Sequence, residues 1–227
     1  MRILALECSA GPASSAVLED GRIVASAFTN VAMTHSQTLM PMTVKMLSDA
    51  GLSFSDIDAL AISNGPGSFT GIRIGISAVK GIAAPNSLPC YAVSTLRAIA
   101  ENSRDFCGIV CPVMDARCNQ VYNALFKAEN GRLTRLCEDR ALMIDELLEE
   151  LAKFPENIII LGDGAHLFEQ YESEKIAVAD KDHRFQRAEG VALAALEGEA
   201  VSADKLMPFY LRLPQAEREL KKKQGEK

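Results

Sequence analysis

Apolar positions come first in short bursts and then at helical spacing. Arg2 to Cys8, Ala13 to Glu19 and Arg22 to Phe28 each predict a strand, with Glu19-Asp20-Gly21 as the turn between the second and third. From about Ser36 to Ala50 the period changes. Leu39, Met42, Met46 and Leu47 fall near one face of a helix, Pro41 sits in its first turns where proline is tolerated, and Gly51 follows as a stop. Ile57 to Ser63 predicts a fourth strand. A glycine-rich loop and a helix to about Ala84 follow, then a short strand at Cys90 to Val93 and a helix from about Ser94.

The second half predicts the same order. Cys107 to Met114, Gln120 to Ala128 and Arg132 to Glu138 are strands around an Asn130-Gly131 turn, and Ile144 to Phe154 is a helix. Asn157 to Leu161 is a strand, Ala165 to Tyr171 a short helix, Lys175 to Ala179 a strand and Arg187 to Leu196 a helix. Both halves read βββαβαβα without sequence identity between them. The expected organisation is two similar α/β lobes, 1–105 and 106–213, followed by a polar, mobile tail at 214–227.

The glycine-rich loop, GPGSFTGIRIG at 65–75, is not a known phosphate motif. A P-loop requires Gly-Lys-Ser/Thr, but Ile72 follows Gly71 and Gly81 follows Lys80; Gly65, Gly67 and Gly71 are also spaced one residue too widely for the dinucleotide fingerprint. A strand-to-helix loop can still offer amides to an anion, so weak ligand binding stays open. In the following helix only Arg73, Ser77 and Lys80 are clearly polar, at i, i+4 and i+7, which leaves more apolar surface than one amphipathic face accounts for.

That surplus has two readings: a helix buried in its own lobe, or one that packs on another protein beside the methionine-rich helix of Met40, Met42 and Met46. Gly71, Gly75 and Ala78 are small and aligned, so another helix could come close. On the second reading the contact surface is Leu39, Met42, Met46, Phe69, Ile72, Arg73, Gly75, Ile76 and Val79. Replacing Gly75 or Ile76 with Glu is then expected to abolish association and leave the lobe folded, because the carboxylate would be buried in an apolar seam.

Composition narrows the function class. A net charge of −6 over 227 residues argues against a chain that grips nucleic acid alone, Lys221-Lys222-Lys223 in the tail excepted. Six cysteines without a C-x-x-C pair read as small buried residues. The N-terminal run is strand-like and too short for a secretory signal, and no apolar run has the length of a membrane span; the chain is read as cytoplasmic. His35, His166 and His183 are too dispersed for a metal pair. His35 is expected to bond locally near a helix start, His166 to lie at the surface and His183 to be solvated.

THSQTLMP, DIDALAISNGPGSFTGIRIGISAVKGIA, VMDARCNQVY and PFYLR, in that order, closely resemble the bacterial TsaB (YeaZ) family. The resemblance implies the actin-like, Hsp70-like two-lobed ATPase (ASKHA) fold. It also implies an accessory, non-catalytic role in making threonylcarbamoyladenosine on tRNA, next to the anticodon. The implied partners are the homologous catalytic subunit TsaD, met through the first two helices, and the small ATPase TsaE, with tRNA engaged through the complex. A homodimer is expected when the chain is alone.

No cofactor is expected on this chain; ATP and metal are expected on the partner subunits. The catalytic paralogue carries H-x-x-x-H where this chain reads Val93 to Ile99 without histidine. Glu7-Cys8-Ser9 stands where the family usually has Asp-Thr-Ser, which weakens an ATPase reading. Asp115-Ala116-Arg117 keeps the family pattern at the end of the equivalent strand. Glu7, Ser9, Asp115 and Arg117 are therefore candidate cleft residues, for a nucleotide or for structure. The alternative function is catalysis by the chain itself, as an ATP-dependent enzyme of this fold or a glycoprotease-like metallopeptidase.

Overall fold

The computed structural model describes residues 1–181 and 183–212. The expected tail, with its lysine run, lies outside the described residues, as does residue 213. The first half forms β1 (Arg2–Glu7), β2 (Ala13–Glu19), β3 (Arg22–Thr29), α1 (His35–Asp49), β4 (Ala59–Gly65), α2 (Phe69–Ala83), β5 (Cys90–Ser94) and α3 (Thr95–Glu101), the expected order. β1, β2 and β3 make an antiparallel meander, with left-handed Asp20 and Gly21 at one turn. β4 joins β1 in parallel with Ile3 opposite Ala59, and β5 joins β4 in parallel.

The second half is β6 (Gly108–Asp115), β7 (Gln120–Asn123), β8 (Phe126–Glu129), β9 (Arg132–Arg135), β10 (Arg140–Met143), α4 (Ile144–Leu151), β11 (Ile158–Leu161), β12 (Ile176–Val178), α5 (Ala188–Ala195) and β13 (Ala200–Val201). It departs from the expected repeat in three ways. The strand expected over Gln120 to Ala128 is two: β7 pairs with Val113–Asp115 of β6, and β8 with Gly108–Val110 of the same strand. The helix expected from Ala165 is a 3-10 segment, Asp163–Tyr171. β10 and β13 were not expected; β13 pairs with β5, so it extends the first sheet.

Alternation along β1 sends side chains to two cores. Leu4 and Leu6, with Leu60 and Ile62, meet Leu39, Leu47, Ile72 and Val79 of α1 and α2. Ile3 and Ala5, with Ala59 and Ala61, meet Val191, Ala192 and Ala195 of α5. On the second sheet, Leu147 and Leu151 of α4 join Phe168 on one face, while Leu96 and Ile99 of α3 join Val110, Phe126 and Leu161 on the other. The last helix of the second half thus crosses to the first sheet, while α3 lies between the two, with Leu96 and Ile99 in the second sheet's core and Ala98 in the first's. Packing does not follow the expected division at 105/106, since α3 also reaches the second sheet's core and α5, β13 and the chain to Tyr210 are built onto the first. Among the described residues no helix is long and apolar enough to cross a membrane.

Candidate functional site

Two regions gather the residues singled out by sequence: the α1–α2 side of the first sheet, and the cleft between the sheets. On α2 the polar stripe lies outward as expected, with Arg73 and Ser77 exposed. The apolar surplus is not left for another chain. Leu39, Met46, Ile72, Gly75, Ile76 and Val79, six of the nine expected contact residues, are buried in the lobe's own core. The cover comes from within: α1 flanks α2 on one side, while Val201, Ala203 and Leu206 close the other.

The small residues serve β1 rather than a second helix. A Cβ at Gly71 would collide with the Cys8 carbonyl oxygen, and one at Gly75 would stand 2.7 Å from Cys8 Sγ and 2.8 Å from Ile62 Cδ1. The expectation that Gly75→Glu spares the fold is therefore wrong; there is no room even for a methyl group. Met42, Phe69 and Arg73 remain only partly covered or exposed. Val31 and Met33, just before α1, and Val44 on it are each about half exposed (51%, 55% and 51%), and Ile74 and Ala78 of α2 are half-buried. Leu39, Thr43, Met46 and Leu47 point inward, so helical spacing puts Val44 outward, a signal available in the sequence.

His35, at the start of α1, reaches Ala10 O through Nε2 at 2.7 Å, so its bond is to the β1–β2 turn and not local. His166 and His183 are exposed, the latter bonded to Asp180.

The cleft, about 530 Å³, is lined by Ser9, Gly67 and Ser68 from the first lobe and by Asp115, Arg117, Tyr122 and Asp163 from the second. Ser9, Asp115 and Arg117 thus converge as expected. Glu7 lies beneath them, wholly buried. Its Oε1 accepts the Ser9 amide and hydroxyl, both at 2.6 Å, and its Oε2 has no partner among the described residues. Burial pushes the Glu7 carboxyl up to about 7; the Ser9 bonds oppose that and Asp163 adds to it. Burial likewise raises Asp163 to about 6, against the 2.6 Å bond it accepts from Gln186 Nε2.

Asp115 and Arg117 are joined through the backbone: the Arg117 amide donates to Asp115 Oδ1 at 2.7 Å, and the Arg117 side chain is exposed. The structural role of the pair is the one on view. The glycine loop turns its donors inward as well. The Ser68 amide donates to Ser9 O at 2.6 Å and its hydroxyl caps Gly71 N at 3.2 Å. With three carboxyl groups near one exposed guanidinium, these residues do not fit a bare phosphate chain.

Two contributors were missed. Asp163 follows β11 inside Gly162-Asp163-Gly164, a strand-to-loop signal that was visible in sequence. The segment PFYLR has no regular structure, yet Tyr210 stacks on Phe69 with ring centres 4.9 Å apart and its hydroxyl accepts from Arg73 Nε at 2.9 Å. Two residues on, Arg212 bonds Ala116 O at 3.4 Å and the Gln120 side chain.

A family model described as TsaD, tRNA N6-adenosine threonylcarbamoyltransferase, matches residues 28–217. The tRNA threonylcarbamoyladenosine biosynthesis protein TsaB of Bacillus subtilis is 32% identical over 96% of this chain and 96% of its own length. TsaB of Escherichia coli is 31% identical over 93% of this chain and 95% of its own. Among solved structures, YeaZ from Pseudomonas aeruginosa superposes with a TM-score of 0.76 at 28% identity, covering 92% of this chain and 99% of that one. Component A of the Acidaminococcus fermentans (R)-2-hydroxyglutaryl-CoA dehydratase, at 12% identity and a TM-score of 0.51 over 91% of this chain and 99% of its own, shares the fold alone, the actin-like two-lobed architecture.

Proposed function

The chain belongs to the TsaB family, whose members are tRNA threonylcarbamoyladenosine biosynthesis proteins, and from that premise we propose that it is the accessory, non-catalytic subunit of the modifying complex. It docks on the catalytic paralogue TsaD through the outer side of α1 and α2, and it meets TsaE and tRNA only as part of that assembly. The observation that carries this reading is the exposure of three large apolar side chains at or just before α1: Val31, Met33 and Val44 are each about half exposed. Alone, the chain pairs with a second copy through the same surface. Nucleotide and metal work belongs to the partner subunits, a reading supported by a cleft whose carboxyl groups and inward-turned loop suit phosphate poorly. The place of work is the cytoplasm.

Reconstitution with purified TsaD and TsaE and an unmodified tRNA tests it. Modification that falls to background when this chain is left out supports the accessory role; an undiminished yield without it refutes the role. A second reading, catalysis by the chain itself, is favoured by the transferase model's match across 28–217. Turnover of ATP or of a peptide by the isolated chain would decide for it.

A further inference from the structure

The segment Met207–Arg212 is fastened to both lobes within six residues. On the first lobe, Phe209 N donates to Asn64 O at 2.7 Å, Asn64 Nδ2 to Met207 O at 3.2 Å, and the Phe209 carbonyl fills the space a side chain at Gly65 would need. Tyr210 then lies on Phe69 and holds Arg73. On the second lobe, Arg212 holds Ala116 O and the Gln120 side chain, with its guanidinium 5.6 Å above the Tyr122 ring.

Between those two bonded residues lies a turn of uncommon backbone. Arg117, Cys118 and Asn119 have φ of 66, 55 and 58°, three consecutive left-handed residues without a glycine. Such residues persist only where the surroundings fix them. Here the fixings are the Asp115 carboxylate on Arg117 N, the Ala116 N to Gln120 O bond at 3.0 Å, the Ile144 N to Asn119 O bond at 3.1 Å, and Arg212. Only Leu211 separates the two anchors, a backbone reach of at most about 7 Å, so the chain between them holds little slack to take up a shift of Tyr210.

The geometry points to Met207–Arg212 as a mechanical link: what moves the N-terminal turn of α2 also moves the Arg117–Asn119 turn on the opposite wall of the cleft. The docking half of this inference rests on the reading above, in which the partner sits against α1 and α2; the link itself does not.

Hydrogen exchange on the isolated chain tests the link, read at the amides of Ala116, Arg117, Gln120 and Ile144. Arg212→Ala should speed their exchange by about tenfold or more, as loss of two bonds to a strained turn would. Tyr210→Ala removes contacts made wholly in the first lobe and should speed the same four amides severalfold. Unchanged exchange there in either variant overturns the link. Should Tyr210→Ala lose its folded circular dichroism, Tyr210→Phe keeps the stack and removes the Arg73 bond; faster exchange at the four amides with β1 and β4 unchanged supports the link, and wild-type exchange overturns it. Adding purified catalytic subunit should slow these amides in the wild type and leave them unmoved in Arg212→Ala. A subunit that fails to bind refutes the docking reading, and the isolated-chain result still decides the link.

Discussion

Glu7 offers a quantitative test of how the cleft floor is built. Its side chain is fully enclosed, with one oxygen bonded twice to Ser9 and the other without a partner among the described residues. Burial raises its carboxyl from 4.5 to about 7, which corresponds to about 3 kcal/mol of folded-state preference for the neutral form. The sign follows from the raised value. The folded chain binds the proton more tightly than the unfolded one, so this contribution is full below pH 4.5 and is lost as pH rises through 7. Glu7→Gln keeps an oxygen for the two Ser9 bonds and puts an uncharged amide where the lone oxygen stood. Near pH 4.5 the two proteins should have similar unfolding free energies, whereas at pH 8.5 the variant should be the more stable by up to about 3 kcal/mol. Urea unfolding of both proteins at half-unit steps from pH 4.5 to 8.5 measures this. Asp163 titrates in the same window and is present in both, so it cancels to first order in the difference. A difference that stays flat across the range would refute the reasoning, because the lone oxygen would then be stabilised as an anion.

The remaining predictions concern packing and surface. Gly75→Glu should not yield a folded lobe, since its Cβ already meets Cys8 and Ile62 and its charge would be buried; a loss of more than about 3 kcal/mol is expected, read as missing soluble protein or a collapsed circular dichroism melt. Val44→Glu lies on the outward side of α1, so it should change stability by less than about 0.5 kcal/mol yet weaken capture of the catalytic subunit at least tenfold in calorimetry. Wild-type affinity would move the docking surface elsewhere. With a disulfide reagent at pH 8, exposed Cys107 and Cys118 should react quickly in the native chain, and Cys8 and Cys111 only after unfolding, because burial removes access and pushes both thiols well above their usual range.

Local patterning carried the first lobe far. The strands β1 to β4 and the helices α1 and α2 lie where alternation and helical spacing put them, because each buries one face against its sequence neighbours. The stripe of Arg73, Ser77 and Lys80 was legible for the same reason. What hides the rest of α2 was not. Arg73 and Tyr210 are 137 residues apart, and the closure by Val201 and Leu206 depends on β13, two residues long with no pattern of its own. The cleft divides along the same line. Glu7, Ser9, Asp115 and Arg117, at the ends of equivalent strands, could be marked in advance through the resemblance to the family's pattern there. Gln186 could not, since its role comes from the loop before α5 meeting the loop after β11.

The crossing of α5 to the first sheet bears on how this chain comes into being. A ribosome releases β1 to β5 early, but the side of that sheet bearing Ile3, Ala5, Ala59 and Ala61 stays bare until residues 188–195 emerge, and α2 keeps an uncovered flank until Leu206 does. The half made first is therefore finished last. Until these residues emerge, the nascent chain presents apolar surface to the chaperone machinery, for most of translation.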